Sequence, residues 1–168
     1  MVHPDVLDAH EKAIRVLRKA RIPYRETGGI ALNFYGAGRP TRDVDLIVRR
    51  TDWSRAIRAL GRIATDQPGV PIEFWPEGMT HEQIARIRGM QKARAHPAGK
   101  LAFTMQGDAV VGLVNDKLAS YLSAKDRLRD AADVQSLIRR LRLPLGFAAR
   151  LAPEVRAAYR RVWVKPEG

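Results

Sequence analysis

The sequence predicts a mixed α/β (α+β) fold, in which a short mixed sheet is flanked by helices and followed by a helical C-terminal part. Short runs of β-branched and aromatic residues alternate with segments of helical periodicity up to about residue 108. Beyond that point the apolar patterns are helical, and the length of 168 residues fits one domain. We therefore expect a core over residues 1–108 and a helical part over residues 109–168, which could form one continuous domain.

Seven helices are predicted from apolar residues at helical spacing and from residues typical of helix ends. Pro4 suits the first turn of the first helix, and Thr51 is a plausible N-cap of the third. The sequence Thr-His-Glu-Gln at residues 80–83 fits a capping box at the start of the fourth. The predicted helices cover residues 4–20, 30–35, 51–63, 80–90, 111–124, 126–141 and 154–163.

Four short runs of β-forming residues predict the strands between these helices. The strongest signal is the apolar run at residues 44–48, and Pro68-Gly69 marks a turn before the next strand. Gly28-Gly29 separates the first strand from the helix that follows it. The predicted strands cover residues 24–27, 43–48, 70–75 and 100–105.

The composition excludes several classes of protein. Cysteine is absent, which excludes disulfides, thiolate metal sites and cysteine nucleophiles. The sequence contains no run near 18 uncharged apolar residues, and its first residues carry carboxylates instead of an apolar signal segment. We therefore expect a cytoplasmic protein with no membrane partner.

A net charge of +12 favours polyanionic partners such as RNA, DNA or a nucleotide triphosphate. The alternative is that arginines occupy ordinary solvated helix faces, because no aromatic residues are interleaved with them. The basic residues form three clusters, at Arg15, Arg18, Lys19 and Arg21, at Arg86, Arg88, Lys92, Arg94 and Lys100, and at Arg139, Arg140 and Arg142.

Two aspartates on the second predicted strand indicate metal chemistry. Side chains alternate along a strand, so Asp43 and Asp45 are expected on one face. Two carboxylates held side by side repel each other, and a divalent cation such as Mg²⁺ or Mn²⁺ removes that repulsion. Glu73 on the next strand would be a third carboxylate, as a ligand of a second metal or as a base.

The glycines and Arg42 fit the same chemistry. Gly28 and Gly29 lie between a strand and a helix, where backbone N–H groups can approach phosphate and the helix N-terminus adds partial positive charge. Arg42 could also reach phosphate oxygens, although strand alternation directs it away from the aspartates.

Gly-Gly, a helix, Asp-x-Asp on a strand and a lone acidic residue on a later strand resemble the nucleotidyltransferase superfamily of polymerase beta. Residues 113–118, Leu-Val-Asn-Asp-Lys-Leu, followed by Arg127-x-x-Asp130-x-x-Asp133, are similar to bacterial AbiEii-type and related toxin nucleotidyltransferases. The resemblance implies metal ligands at Asp43, Asp45 and Glu73, phosphate contacts at Gly28 and Gly29, and a triphosphate-facing Lys117. Two positions depart from the superfamily pattern: Gly29, where serine is frequent, and Glu73, where aspartate is frequent.

Lys117 and Arg127 are thus predicted nucleotide contacts, with simpler alternatives. Lysine is most often a solvated helix residue. Arg127, Asp130 and Asp133 lie near one helix face, where they would stabilise the helix or orient Lys117 or the acceptor.

We therefore predict transfer of a nucleoside monophosphate from an NTP to an acceptor hydroxyl on tRNA, another RNA or a protein. The toxin-like resemblance adds a toxin–antitoxin pair, with a cognate antitoxin as partner. One alternative is a non-catalytic nucleic-acid- or partner-binding module that retains the nucleotidyltransferase fold. Another is a drug-modifying adenylyltransferase, which a short chain of charge +12 disfavours because a cationic drug needs an acidic pocket.

Overall fold

The computed structural model describes residues 2–66, 69–87, 96–123 and 127–166 of the chain. Arg88, Lys92 and Arg94 of the second basic cluster, Pro68 of the predicted turn, and the ends of the helices predicted to reach residues 90 and 124 lie outside these ranges. The helices are α1 (Pro4–Lys19), α2 (Gly28–Phe34), α3 (Trp53–Asp66), α4 (His81–Ile87), α5 (Ala109–Ser123), α6 (Leu128–Leu141) and α7 (Pro153–Val162). The strands are β1 (Tyr24–Thr27), β2 (Val44–Val48) and β3 (Ile72–Pro76), and 3-10 turns lie at Arg50–Asp52, Pro97–Lys100 and Leu145–Arg150.

The three strands form one mixed sheet in the order β1-β2-β3. β1 runs antiparallel to β2, and β2 runs parallel to β3 through the α3 crossover. The register places Asp45 opposite both Thr27 on β1 and Glu73 on β3. The prediction of a short mixed sheet flanked by helices is therefore confirmed, and the central strand carries one of the predicted metal ligands.

The two faces of the sheet follow the alternation of residues along β2. Val44, Leu46 and Val48 pack with α1 and α3 in one apolar cluster. Ile47 points to the opposite face, where it packs with residues of α4 and the segment after it. Asp45 shares the parity of Ile47 and therefore lies on that second face.

A second apolar core joins the helical part to the rest of the chain. It is built from α5, α6 and α7, and it includes Ala31 and Leu32 of α2. Tyr159 of α7 is fully buried there, its hydroxyl donates to the carbonyl of Pro144, and burial raises its pKa to about 12. Because α2 begins at Gly28-Gly29, this packing fixes the helical part beside Asp45 of β2 and Asp43, which immediately precedes that strand.

The strand predicted over residues 100–105 is wrong. That segment forms a single bridge between Ala102 and Thr80. Beside it, the Phe103 N–H donates to the Met79 carbonyl, and the N–H groups of Gly78 and His81 donate to the carbonyls of Phe103 and Leu101. Its alternating apolar residues are explained by packing, since Phe103 and Met105 contact the cluster around Ile47. Burial on one side produces the same period of two in an irregular segment as in a strand.

The predicted helix starts have different outcomes. The capping box is confirmed, because the Gln83 side chain accepts from the Thr80 backbone N–H and the Thr80 hydroxyl accepts from the Gln83 N–H. Thr51 is not an N-cap, since it lies inside a 3-10 turn that precedes α3. Within the residues described, none of the helices has the length and apolar character that a bilayer-spanning segment needs.

Candidate active-site cleft

A cleft of about 710 Å³ opens where β1, β2 and the loop before β2 meet helices α5 and α6. Both parts of the chain contribute to its walls, because α5 and α6 belong to the helical part. The lining residues are Thr27, Gly28, Gly29, Arg39, Pro40, Thr41, Arg42, Asp43, Asp45, Asp116, Lys117, Ser120, Arg127, Arg129 and Asp130. All the predicted site residues except Glu73 are therefore found in one cavity.

The two glycines are required by the two aspartates. Gly28 has a φ of +64°, and a Cβ on it would overlap Oδ2 of Asp45. A Cβ on Gly29 would overlap Oγ1 of Thr41, and that hydroxyl donates to Oδ1 of Asp43 at 2.8 Å. Gly28 therefore packs directly on the Asp45 carboxylate, and Gly29 packs on the Thr41 hydroxyl that is hydrogen-bonded to Asp43.

We expect Gly28→Ala to destabilise the protein, because a side chain costs about 1–2 kcal/mol in the left-handed region and also displaces Asp45. Gly61→Ala in α3 is the matched control, since no neighbouring atom lies within 4 Å of the added Cβ. That control should gain about 0.5–1 kcal/mol from better helix propensity. Urea denaturation of both variants measures the difference, and equal changes in the two would contradict the close packing of Gly28 on Asp45.

Glu73 lies on the expected face of the sheet but outside the cleft lining. Glu73 is half-buried, and its register partner on the neighbouring strand β2 is Asp45. Neighbouring strands of a sheet lie about 4.8 Å apart. Within residues 2–66, 69–87, 96–123 and 127–166, no group of three or more His, Asp and Glu side chains is arranged to hold a metal ion. The shared face of Asp45 and Glu73 is confirmed by the register, and the role of Glu73 as a ligand or base stays a prediction.

Asp43 and Asp45 are the two predicted metal ligands that line the cleft, and their role as ligands stays a prediction. Both line the cleft, and Asp45 is 8% exposed at its floor. Mg²⁺ is commonly held by one or two carboxylates, with phosphate oxygens and water filling the rest of its shell.

Lys117 is buried in ion pairs on the helical wall of the cleft. Its ammonium lies 2.9 Å from Oδ1 of Asp130 and 2.8 Å from Oδ2 of Asp133. Burial alone would lower the pKa of Lys117, but these two carboxylates outweigh it and the pKa is raised. Of the alternatives, a solvated helix residue is wrong for Lys117, because it is 7% exposed.

A network extends from Lys117 to the loop before β2. Arg39 forms two hydrogen bonds with the carboxylate of Asp133, through Nε at 2.9 Å and Nη2 at 3.3 Å. The Ser120 hydroxyl donates to Oδ2 of Asp130 at 2.7 Å. Asp130 and Asp133 therefore orient Lys117, as one of the two alternatives proposed, and Asp133 also anchors the loop that carries Arg42 and Asp43.

Arg42 and Arg127 are placed at the rim. Arg42 is exposed and lies in the loop before β2, where strand alternation does not apply, so it lines the cleft together with the aspartates. The prediction that it would point away from them is wrong. Arg127 precedes the first turn of α6 and lines the opposite wall beside Arg129.

A second buried network, centred on Asp116 in the wall of the cleft, was not predicted. Oδ2 of Asp116 accepts from Arg25 at 2.8 Å and from the Thr27 hydroxyl at 3.0 Å. His81, which is 8% exposed, approaches Oδ1 of Asp116 at 3.5 Å and packs on Phe103. These partners are 35–91 residues apart in sequence, and the one available signal was a carboxylate within an otherwise apolar helical run.

No protein-family model, no curated protein and no solved structure matches this chain.

Proposed function

We propose that this protein is a metal-dependent nucleotidyltransferase, which moves a nucleoside monophosphate from an NTP to an acceptor hydroxyl. The observation that carries the proposal is the packing of Gly28 on Asp45 and of Gly29 on the Thr41–Asp43 pair, inside a cleft with arginines at its rim. The backbone N–H groups at Gly28 and Gly29 would donate to phosphate oxygens, and the carboxylate oxygens of Asp43 and Asp45 beside them would bind a cation.

The chain's own residues would bind and orient the triphosphate. Gly28 and Gly29 allow phosphate oxygens to approach the backbone, while Arg42, Arg127 and Arg129 add positive charge around the opening. Asp43 and Asp45 would hold Mg²⁺ or Mn²⁺, which when bound neutralises phosphate charge and lowers the pKa of a coordinated hydroxyl. Asp130 and Asp133 compensate the charge of Lys117, so it would contact the triphosphate through an ammonium N–H that these two carboxylates do not use.

The reaction is a substitution at the α-phosphorus. The acceptor oxygen forms a bond to the α-phosphorus, the bond from that phosphorus to the bridging oxygen breaks, and pyrophosphate leaves. The proton of the acceptor hydroxyl passes to a base, for which Glu73 on the same sheet face as Asp45 is the candidate. Glu73 would need to reach the cleft on substrate binding to fill that role.

The position of Glu73 also favours a second candidate function. A cleft with two carboxylates at its floor and a third outside its lining is compatible with a binding module that retains the fold without catalysis. Such a module would bind nucleic acid through its basic surface and would transfer nothing. The role of toxin in a toxin–antitoxin pair, with a cognate antitoxin as partner, belongs to the nucleotidyltransferase proposal.

A labelling experiment separates these functions. The protein is incubated with each α-³²P-labelled NTP in turn, with Mg²⁺ or Mn²⁺, and with total RNA or lysate protein. We expect label on one class of acceptor with one or more NTPs, and no label when EDTA removes the metal. Absence of label with every NTP and both acceptor classes, together with retained RNA binding, would support the binding module.

A further inference from the structure

A second concave site lies beside the cleft, on the other side of the same loop. Its volume is about 420 Å³, and its lining is Gly36, Ala37, Gly38, Ser136, Arg139 and Arg140. Residues 36–38 line this site and residues 39–43 line the cleft, so consecutive residues of one loop separate the two cavities. We name this second cavity the arginine pocket.

The two cavities differ in charge. The cleft contains four aspartates, and Lys117 and Arg39 in its wall are both paired with carboxylates. The arginine pocket has two arginines and no carboxylate among its described lining residues. Its two positive charges are not offset by any carboxylate of that lining, whereas five basic and four acidic side chains nearly balance in the cleft. The arginine pocket therefore suits an anion and disfavours a metal ion or a basic peptide.

The loop backbone positions Arg140. Gly36 has a φ of +68°, and its missing Cβ leaves the guanidinium against the backbone, with Nε 2.7 Å from where that Cβ would stand. Asn33 donates to the carbonyl of Arg39 at 3.0 Å and so ties the loop to α2. Arg139, which precedes Arg140 on α6, lines the same pocket.

We propose that the arginine pocket is a phosphate-binding subsite for the sugar–phosphate backbone of a nucleic-acid strand, whose reactive end occupies the cleft. The identification of that strand as the acceptor rests on the proposed function. Guanidinium groups bind phosphate oxygens in bidentate fashion, and phosphate contacts from such groups position a nucleic-acid strand without reading its sequence.

The spacing along α6 favours a polymer over a single phosphate ligand. Arg129 lines the cleft and Arg139 lines the arginine pocket, ten residues further along the helix. Ten residues correspond to about 15 Å of helix. A strand of a few nucleotides spans that length, whereas a single phosphate group does not. One strand could therefore contact both cavities, whereas one NTP in the cleft already has its phosphates beside the glycine turn.

The test compares two arginine pairs by fluorescence anisotropy with a labelled single-stranded RNA, without NTP or Mg²⁺. The full chain carries Arg139→Gln with Arg140→Gln, and the matched control carries Arg160→Gln with Arg161→Gln, an exposed adjacent pair on α7 outside both cavities. Both variants lose two positive charges. We expect the pocket variant to bind at least about tenfold more weakly. Its salt-dependence slope should fall by about 1.4, because each phosphate contact on a single strand contributes about 0.7.

The control pair should change RNA affinity less than about threefold, because it affects only the long-range field. Equal weakening by both pairs would overturn the proposal, as would competition by inorganic phosphate, ATP or polyglutamate at the concentration at which RNA competes. If the pocket pair fails to fold, Arg139→Gln alone is measured. Selective weakening without any nucleotide transfer by the parent would support the subsite and contradict the proposed function. Nucleotide transfer to RNA by the parent, with equal RNA binding by the pocket and control variants, would support the proposed function and contradict the subsite.

Discussion

Asp45→Asn should abolish nucleotide transfer while leaving the fold intact. The amide keeps nearly the same volume at a position that is 8% exposed and packed against Gly28, but it lacks the charge of a strong metal ligand. Loss of a ligand to a catalytic metal should cost on the order of 4 kcal/mol, a rate loss of about a thousandfold or more. The initial rate of label transfer, compared with that of the parent, measures this effect.

Stability gives an independent readout of the same substitution. Without Mg²⁺, Asp45→Asn should be at least as stable as the parent, because it removes repulsion between carboxylates on one sheet face. Mg²⁺ should raise the melting temperature of the parent and leave that of the variant unchanged, since a ligand stabilises only the state that binds it. Asp8→Asn, at an exposed ion pair with Lys12 on α1, is the control and should behave as the parent in both assays.

Transfer by Asp45→Asn near the parental rate would show that Asp45 is not a metal ligand. If neither protein transfers nucleotide and both bind RNA equally, the binding module is the correct function. The stability readout remains informative in that case, because a Mg²⁺-dependent shift confined to the parent would still identify a cation site at Asp45.

The strand-borne part of the site could be predicted from the sequence because strands have a fixed period of two. That period places Asp45 on the face of the sheet away from the apolar Val44 and Leu46. The parallel register of β2 and β3 then brings Glu73 beside Asp45. Glycine between a strand and a helix is also a local signal, and Gly28 does adopt positive φ. Such local rules fix which face a side chain takes, but they do not fix whether a half-buried glutamate reaches a cavity.

The networks formed by helix packing could not be predicted in the same way. Arg25 meets Asp116 across 91 residues, and Arg39 meets Asp133 across 94. The pairing depends on how α5 and α6 dock against the loop before β2, which is set by burial of the apolar cluster shared with α2. A charged residue in an amphipathic helix is expected to face solvent unless the packing of its neighbouring helix is known. For this reason the sequence alone left Lys117 either as a solvated residue or as a nucleotide contact.

Lys117→Met should produce the largest loss of stability among single substitutions in the cleft wall. The ammonium compensates Asp130 and Asp133, which are both 4% exposed. Its removal leaves two buried carboxylates, with Arg39 bonded to Asp133 and Ser120 bonded to Asp130 in the part of the chain that the structure describes. Removing one partner of a buried ion pair costs about 3–5 kcal/mol. For a domain of this size that corresponds to a fall in melting temperature on the order of 10 °C.

Lys12→Met is the matched control, because it removes the same side chain from an exposed pair with Asp8. An exposed pair contributes at most about 1 kcal/mol, so this variant should melt within a few degrees of the parent. A triple variant with Lys117→Met, Asp130→Asn and Asp133→Asn should recover part of the lost stability, since no uncompensated buried charge remains at Asp130 or Asp133. Equal losses in Lys117→Met and Lys12→Met would mean that the buried network contributes nothing specific.

The pH dependence of the stability difference between the parent and Lys117→Met tests whether protonated Lys117 stabilises the fold. The folded pKa of Lys117 is raised above its ordinary value of 10.5, so the folded state binds the proton more tightly than the unfolded state does. The resulting stabilisation is fully present below the unfolded pKa and is lost as the pH rises through the folded pKa. We therefore expect the stability gap between the parent and Lys117→Met to be constant from about pH 8 to 10 and to narrow above about pH 10.5. Urea denaturation across that range measures the gap, and a gap that widened with rising pH would contradict the pairing of Lys117 with Asp130 and Asp133.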